Sequence, residues 1–517
     1  MKSAIRNYPL LLAGCVLFHV AGTWSLPLID RDEPRFAEAS REMIERADYI
    51  VPYFNNHLRL DKPPLAYWAQ IASYRIFGEN DFAARFPSVV AAALAALFIF
   101  AWGSRLGGEK LGWWAAIIFT LSLQTFVHAK AAVADMWLVL FMTIAHWSGF
   151  EMIQLQTPIN RGEAPNAHRS TLDQIDQTSN IKHQTAWPWW LMFYFSLALG
   201  FLAKGPIAWT PLLTVSAIII YTGDRQSARR FKFLPGIVLT LAVVALWGIP
   251  ALIQTHGEFF SVGIGRHVIG RSFATMEGHG ANSLWMYLLL LPFYFVTVFV
   301  GFLPWSIKLP SLIRKLWQER KAGVDVPGYG RNQIDAYLVT GTAIIFIIFT
   351  LVSTKLPHYT LPAFPLLALL LARHWQRGTL SNRGSLFKRI AIVTACVWMM
   401  IALVVPPMVA RFFPAYELFH KSQADLKSNM QFASVGFEEP SLVWYFRARV
   451  KGFVTPLNKR RASEFMNTPG PRFIVLPSPI AGTVFPNVPQ NWKSFTTSGF
   501  NVAKGKRTDL TLVLKPE

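Results

Sequence analysis

Two groups of charged residues near the start of the chain have the types and spacing to carry out chemistry. Carboxylates come first, at Asp32 and Glu33, and Lys62 follows inside the run 61–64 (DKPP). A carboxylate can take a proton from a hydroxyl, and a lysine can hold a phosphate as a point charge. Together they predict a site where a hydroxyl-bearing acceptor meets an anionic donor.

Further ionisable residues occur in other short polar segments, namely Lys130, Asp135, Lys204, Arg266, His267, Arg271 and the run 355–362 (KLPHYTLP). Each has a structural explanation when taken alone. Lys204 suits an anchor that snorkels to a membrane interface, Asp135 suits an ion pair with Lys130, and the arginines suit lipid headgroups. A functional reading is favoured if these groups converge on one membrane face, because ionisable groups at membrane depth are costly and usually functional.

The composition indicates a membrane protein. Of 517 residues, 52% are hydrophobic and 15% are charged, whereas soluble proteins carry roughly 25% charged residues. The net charge of +21 would suggest a nucleic-acid partner in a soluble protein, but basic loops between apolar segments explain it without one. We therefore expect membrane lipids, and no nucleic acid, as partners.

Apolar segments long enough to cross a bilayer, which needs about 20 residues, recur along the chain. The candidates are 9–28, 82–102, 112–129, 131–152, 187–203, 206–222, 233–254, 284–306, 334–353, 357–374 and 389–408. Abutting pairs can be divided differently, so about 11–13 transmembrane helices are expected. The first segment is longer than a usual signal peptide and has no small-residue cleavage site, so we expect a retained helix.

Basic residues predict the orientation. With the N-terminus in the cytoplasm and the spans alternating, the Arg- and Lys-rich loops fall on the cytoplasmic side, as the positive-inside rule requires. The outer side then receives 29–81, the turns at Lys130, Lys204 and Lys355, and 255–283. Every candidate residue therefore lies on one face, and the bacterial inner membrane is the expected location.

Two outer segments have their own predicted structure. In the loop 29–81, residues 33–46 and 65–77 have helical apolar stripes and suit helices lying in the membrane interface. Residues 410–517 contain short strand-like runs (FASVGF, GFVTP, RFIVLP and LTLVLK) and a helix around 439–448. We expect a transmembrane domain over 1–409 and a small extracytoplasmic α/β domain over 410–517.

The motifs DRDEPRFAEASREM, DKPPLAYW and SKLPHYTLP resemble those of the polyprenyl-phosphate-sugar-dependent membrane glycosyltransferases. These include the protein O-mannosyltransferases and the lipid A aminoarabinose transferases, to which the resemblance is closest. It covers about residues 5–410 and implies the GT-C membrane fold. It also implies a glycosyltransferase that uses a polyprenyl (undecaprenyl) phosphate-linked sugar as donor.

The resemblance also implies residue roles. The catalytic acids fall on Asp32, Glu33 and Asp135, and the residues implied to bind the donor phosphate are Lys62, Arg266, Arg271, Lys355 and Tyr359. Family members usually have Glu-Lys-Pro where this chain has Asp61-Lys62-Pro63. In the family that acid and a histidine can meet at a metal, so Asp61 and His267 form a weak metal candidate, and no cofactor is expected to be required.

The expected reaction is a single displacement with inversion that moves the sugar to a lipid A, protein or glycan acceptor. Asp32 would act as the base for a hydroxyl acceptor. A transporter or flippase for an anionic lipid is the main alternative, since it also needs intramembrane charges. It should show pseudo-repeated halves and broken helices near the bilayer midplane, and the sequence shows neither. A membrane scaffold is a second alternative, but it leaves the first outer loop unexplained.

Overall fold

A computed structural model describes residues 2–155, 186–270, 284–321, 331–377 and 383–517, and these are mostly helical. The helices that precede the C-terminal region are Lys2–Val20 (α1), Asp32–Arg46 (α2), Leu65–Phe77 (α3), Asp81–Gly107 (α4), Glu109–Leu121 (α5), Leu123–His128 (α6), Asp135–Gln154 (α7), Ala186–Lys204 (α8), Thr210–Thr222 (α9), Arg225–Phe231 (α10), Phe233–Gln254 (α11), Leu284–Leu289 (α12), Phe293–Gly301 (α13), Leu309–Lys321 (α14), Arg331–Leu351 (α15), Phe364–Gln376 (α16) and Arg383–Val409 (α17). Tyr53–Phe54 (β1) and His57–Leu58 (β2) form a short antiparallel pair. A π-helix spans Phe260–Gly270.

Ten of the eleven predicted spans coincide with one helix or with an interrupted helix pair, whereas the first, 9–28, overlaps α1 only in part because α1 ends at Val20. Within the described ranges, six helical segments are long and apolar enough to cross a membrane, and a pair bent by 114° could make a seventh. The other spans are shorter helices such as α5 and α16, or begin with a 3₁₀ turn, such as Pro206–Trp209 before α9. The prediction of a polytopic helical protein is confirmed.

The helix bundle packs closely where small residues meet. Helix α4 buries a run of alanines, and its Gly103 lies against Gly112 of α5. A Cβ atom on Gly103 would come 2.9 Å from the Cα atom of Gly112. Small residues at such contacts let two helix backbones approach, which is the usual basis of helix packing in membranes.

A five-stranded mixed sheet forms the C-terminal region, in the order β4-β3-β5-β7-β6. Its elements are Pro414–Ser422 (α18), Gln431–Val435 (β3), Pro440–Arg447 (α19), Val454–Leu457 (β4), Lys459–Asn467 (α20), Arg472–Pro477 (β5), Ser478–Val484 (α21), Lys493–Asn501 (β6) and Lys506–Lys515 (β7). Strand β3 is parallel to β4 and β5, and β7 is antiparallel to β5 and β6. Four strands and helix α19 match the prediction, whereas β6 was not predicted.

The two helices of the first outer loop, α2 and α3, are where the sequence predicts them, but the charged face of α2 is not solvated. Glu38, Arg41 and Glu42 are buried, because α19 of the C-terminal region covers them. One apolar cluster joins Leu28 and Ala37 of the loop region to Phe432 and other core residues of the sheet. The sheet's core is therefore continuous with the first outer loop, and the predicted division at residue 410 stays a prediction.

Candidate functional site

The acidic pair at the start of α2 separates into a buried and an exposed carboxylate. Glu33 is buried and accepts hydrogen bonds from Arg85 Nε (2.9 Å), Arg85 Nη2 (2.8 Å), the Ile29 amide (2.7 Å) and the Ala132 amide (2.7 Å). Asp32, one residue earlier, is exposed. Four donors occupy the oxygens of Glu33, so it fixes the first turn of α2, and Asp32 is the carboxylate that is presented to solvent.

Arg85 strengthens this anchor. Its guanidinium also donates to the carbonyl oxygens of Thr23 (3.1 Å), Leu26 and Pro27 (2.9 Å). These carbonyls belong to the chain as it leaves α1, and the Ala132 amide belongs to the turn before α7. The Glu33–Arg85 pair therefore joins four segments next to Asp32, namely the start of α2, the start of α4, the chain after α1 and the turn before α7.

Asp135 begins α7 and lies in a second cluster of ionisable groups. Its Oδ1 atom accepts a hydrogen bond of 2.5 Å from Lys204 Nζ and lies 3.9 Å from His358 Nε2. The His358 ring lies 5.1 Å from the ring of His128, and both histidines are within electrostatic range of Asp135. This buried acid is thus surrounded by groups that carry or can carry positive charge.

The pairing of Asp135 with Lys130, one of the alternatives drawn from the sequence, is wrong. Lys130 donates to the carbonyls of Phe18 (3.1 Å), His19 (2.8 Å) and Ala21 (2.7 Å), and so caps the C-terminal end of α1. A cation at that end satisfies carbonyls that have no partner within the helix. Lys204, considered as an interfacial anchor, is instead the partner of Asp135.

The Asp61-Lys62 motif lies between the two clusters. Asp61 is 3.3 Å from Arg59 Nε, which also donates to the Tyr67 hydroxyl at 2.8 Å. Asp32 is within electrostatic range of Arg59, and Lys62 is within electrostatic range of His358. The motif therefore brings the first outer loop, with its exposed acid, up to the cluster around Asp135.

The two predicted phosphate ligands of the KLPHYTLP run have different surroundings. Lys355 is buried and donates to the carbonyls of Phe349 (3.0 Å) and Thr350 (2.5 Å), so it caps α15. Burial lowers the pKa of Lys355. The Tyr359 ring lies 5.8 Å from Lys204 Nζ, which brings it to the cluster around Asp135. Of these two residues, Tyr359 is the one that lies next to the cluster around Asp135.

Three predicted residues cannot be compared with the structure. The side chains of Arg266 and His267, and all of Arg271, lie outside the described residues. Among the residues that are described, no group of three or more His, Cys, Asp or Glu side chains is arranged to hold a metal ion. The weak metal candidate formed by Asp61 and His267 stays a hypothesis.

Several residues of the clusters were missed from the sequence. Arg59 and Tyr67, which fix Asp61, were not selected, and Lys204 was selected without its pairing to Asp135. His128 ends α6 within an apolar run, where a lone histidine gives no pattern to detect. His358 is part of the KLPHYTLP run, but only its lysine and tyrosine were selected.

Helix α19 of the C-terminal region holds the opposite side of α2. Arg447 forms ion pairs with Glu38 and with Glu45, the latter at 2.6 Å. Arg41 bonds Glu38 at 2.7 Å and stacks on the Trp444 ring, with 3.9 Å from its guanidinium carbon to the ring centroid. These buried contacts make α19 part of the support of the loop that carries Asp32.

Asp30 adds a contact close to Asp32. Its Oδ1 atom accepts from the Ser441 amide at 2.8 Å, and its Oδ2 atom accepts from the Ser441 hydroxyl at 2.5 Å. Burial raises the pKa of Asp30 to about 6. The attachment of α19 to the start of α2 therefore depends on a carboxyl group that titrates in mildly acidic solution.

Comparisons with known proteins agree with this architecture. Residues 61–159 match the family model described as dolichyl-phosphate-mannose-protein mannosyltransferase. The undecaprenyl phosphate-α-4-amino-4-deoxy-L-arabinose arabinosyl transferase of Edwardsiella ictaluri is 29% identical over 374 residues, which is 72% of this chain and 60% of the relative. The protein of the same name from Aeromonas salmonicida is 27% identical over 69% of this chain and 58% of its own length. This chain thus spans about 60% of the length of the curated relatives it matches.

Solved structures show the same fold over nearly the whole chain. ArnT from Cupriavidus metallidurans bound to undecaprenyl phosphate aligns with a TM-score of 0.73 at 16% identity, over 98% of this chain and 97% of that one. The apo form of that protein gives a TM-score of 0.72. The predicted resemblance is confirmed: the chain is similar in sequence to these arabinosyl transferases and has the GT-C fold of ArnT.

Proposed function

We propose that this protein is an integral membrane glycosyltransferase that moves a sugar from a polyprenyl phosphate to an acceptor on the outer side of the membrane. One observation carries the proposal: the exposed carboxylate of Asp32 follows the segment after α1, next to the anchored Glu33, and lies within electrostatic range of Arg59, in the same outer loop as Lys62. The names of the relatives support an undecaprenyl carrier and an aminoarabinose-type sugar.

The donor phosphate would bind near Lys62, Lys204 and Tyr359. In the reaction the bond between the sugar's anomeric carbon and the donor phosphate oxygen breaks, and a bond from that carbon to the acceptor oxygen forms on the opposite face. Negative charge builds on the departing polyprenyl phosphate. Cations fixed in place before the reaction stabilise that charge more in the transition state than in the ground state.

The role of Asp32 depends on the acceptor. With a hydroxyl acceptor, Asp32 takes the proton as the new bond forms, and the inverted product leaves with a neutral oxygen. With a phosphate acceptor, such as a phosphate of lipid A, the nucleophilic oxygen is already ionised. Asp32 then positions the acceptor and takes no proton. Lipid A is the acceptor that the family resemblance favours.

The experiment is transfer of labelled sugar from a synthetic polyprenyl phosphate donor in proteoliposomes containing the full chain. Asp32→Asn should lower transfer by about 100- to 10,000-fold if the carboxylate is the base. Glu464→Gln is the matched control, since it removes an exposed carboxylate from α20 and should leave transfer unchanged. Near-normal transfer by Asp32→Asn with a hydroxyl acceptor would refute the base assignment.

Donor binding is tested separately with Lys62→Met. Losing one charge-assisted contact to a phosphate should raise the donor KM by roughly tenfold to a hundredfold. The acceptor KM should not change. Lys451→Met, which removes an exposed lysine of the C-terminal region, serves as the control. An unchanged donor KM for Lys62→Met would count against phosphate binding by this residue.

We also propose that the protein lies in a bacterial inner membrane, with its N-terminus in the cytoplasm and residues 410–517 outside as a small α/β domain. The basic loops support this orientation. Alkaline phosphatase fused after Glu517 should be active in intact cells, because it folds outside the cytoplasm. Green fluorescent protein fused at the same point should not fluoresce, because it does not fold when it is exported unfolded. The reverse pattern would contradict the orientation.

A further inference from the structure

The β6–β7 hairpin of the C-terminal sheet is fixed to the chain where it leaves helix α17. A Cβ atom on Gly499 would come 2.6 Å from the carbonyl oxygen of Phe412 and 3.0 Å from Pro414 Cδ, so the strand rests directly on this segment. The apolar helical stretch 384–412 ends at Phe412. The hairpin is therefore attached to the point where a membrane-spanning helix reaches the bilayer surface.

Exposed aromatic and basic side chains share this region. Phe412 is 47% exposed and Phe500 is 45% exposed, and the Arg411 guanidinium carbon lies 5.0 Å from the centroid of the Phe412 ring. We define the hairpin patch as six exposed residues, Arg411, Phe412, Phe500, Lys504, Lys506 and Arg507. Aromatic groups with Lys and Arg beside them are typical of surfaces that sit at the headgroup level of a membrane.

The hairpin register places Phe500 and Arg507 of this patch on one face of the sheet, and it places Lys506, which pairs with Asn501, on the other face. Phe500 pairs with Arg507 across the two strands, and directly opposed residues point to the same face of a sheet. Asn501, the next residue, points the other way, is buried, and donates to Glu439 at 2.9 Å. The hairpin thus has an inner face that holds it in place and an outer face that offers an aromatic ring and a guanidinium.

Positive charge is only partly compensated at the hairpin tip. Glu439 lies 3.5 Å from Lys504 Nζ and 3.6 Å from Arg31 Nε, so one carboxylate is shared by two cations. Lys506 and Arg507 follow on the exposed surface. An anion with several charged oxygens, such as a phosphate ester, complements this arrangement, because Arg and Lys both bind phosphate through charge-assisted hydrogen bonds.

The contacts at Glu439 connect the hairpin to the segment that carries Asp32, the candidate base. Lys504 and Arg31 meet at Glu439, and Arg31 is the residue immediately before Asp32. A phosphate held at the tip would therefore lie next to the start of α2. We propose that the hairpin patch binds the phosphorylated headgroup of a lipid acceptor at the membrane surface and delivers it to Asp32. This inference rests on the proposed glycosyl transfer and gives the C-terminal region a part in acceptor recognition.

The test uses the full chain with Lys504, Lys506 and Arg507 all changed to Gln. Lys459, Arg460 and Arg461, exposed on α20 of the same sheet region, are changed to Gln in the control, which removes the same charge. Binding of bis-phosphorylated lipid A to the detergent-purified protein is measured by fluorescence titration, with phosphatidylcholine as a phosphate-bearing but zwitterionic comparison. Equal thermal midpoints of the two variants establish that both are folded.

We expect lipid A to bind the hairpin variant at least about tenfold more weakly than the wild type, and its acceptor KM to rise while its donor KM stays the same. The control variant should behave as the wild type. Unchanged lipid A binding in the hairpin variant, or an equal loss in the control, would overturn the proposal. Tighter binding of phosphatidylcholine than of lipid A to the wild type would overturn it as well.

Failure of this proposal is distinguishable from failure of the proposed function. Lipid A binding needs no donor and no chemistry, so it can be measured whether or not transfer occurs. If the wild type showed no transfer at all, the glycosyltransferase assignment would fail whatever the binding result. If transfer occurred and the hairpin variant kept the wild-type acceptor KM, only the hairpin assignment would fail.

Discussion

Replacing Glu33 with Gln tests whether the neighbouring acids Asp32 and Glu33 have different roles. Glu33 is buried and accepts four hydrogen bonds, two of them from Arg85. Gln keeps the shape but replaces one acceptor oxygen with a donor, so a buried N–H loses its acceptor and Arg85 keeps an uncompensated charge. Removing one partner of a buried ion pair costs about 3–5 kcal/mol.

The size of this loss sets a measurable shift in thermal unfolding. One kcal/mol moves the midpoint by about 2–4 °C in a unit of 150–250 residues, so Glu33→Gln should lower it by roughly 6–20 °C. A larger cooperative unit puts the shift at the lower end. Differential scanning fluorimetry of the detergent-purified protein measures this midpoint directly.

Asp32→Asn is the matched control, because it removes the same charge one residue earlier from an exposed position. Surface changes of this kind alter stability by about 0.5 kcal/mol or less, so its midpoint should stay within roughly 2 °C of the wild type. Its transfer to a hydroxyl acceptor should be lost all the same. If Glu33→Gln abolished transfer with no change in midpoint, Glu33 would act in the chemistry and the division of roles would be wrong.

Three further predictions concern the other ionisable groups. Lys204→Met should lower both transfer and the thermal midpoint, because it leaves the buried Asp135 without its ion-pair partner. Adding Asp135→Leu should restore the midpoint but not transfer. Recovery of transfer in the double variant would contradict a role for the pair in the chemistry. Lys355→Met should lower the thermal midpoint, because two carbonyls of α15 lose a charged donor and each such hydrogen bond contributes about 1.5–3 kcal/mol. If the midpoint were unchanged and the donor KM rose, Lys355 would instead be a phosphate ligand. Burial raises the pKa of Asp30 from 3.8 to about 6, so the stability from its neutral form is present in full below about pH 4 and is lost as the pH rises through 6. The wild-type midpoint should fall between pH 5 and pH 7, and Asp30→Asn should show a flatter profile; equal slopes would refute the assignment to Asp30.

Local patterns in the sequence were sufficient for much of the fold. Ten of the eleven apolar segments match helices or helix pairs and the first overlaps α1 in part, since each segment needs only its own composition to be recognised. Helices α2 and α3 and four strands of the sheet were also predicted, because apolar periodicity is a local signal. Strand β6 was missed, because KSFTTSGFN is polar on one side, contains a glycine and forms the sheet edge.

The site was harder to predict, because its geometry depends on contacts between distant segments. Asp32 and Glu33 were both selected from their motif, but only the structure shows Arg85 and the Ala132 amide beside Glu33. Lys130 and Lys204 look equivalent in sequence, since each follows an alanine in an outer turn. One caps α1 and the other pairs with Asp135, and no local pattern distinguishes them.

The ion pair between Glu38 and Arg447 has a consequence for biosynthesis. The two residues are 409 positions apart, so at about 5–20 residues per second Arg447 leaves the ribosome roughly 20–80 s after Glu38. During that interval α2 has a carboxyl group whose final partner has not been made. The loop that carries Asp32 can therefore reach its final position only after Arg447 has been made and α19 has packed on α2. Chains that end before Arg447 would lack this support of α2.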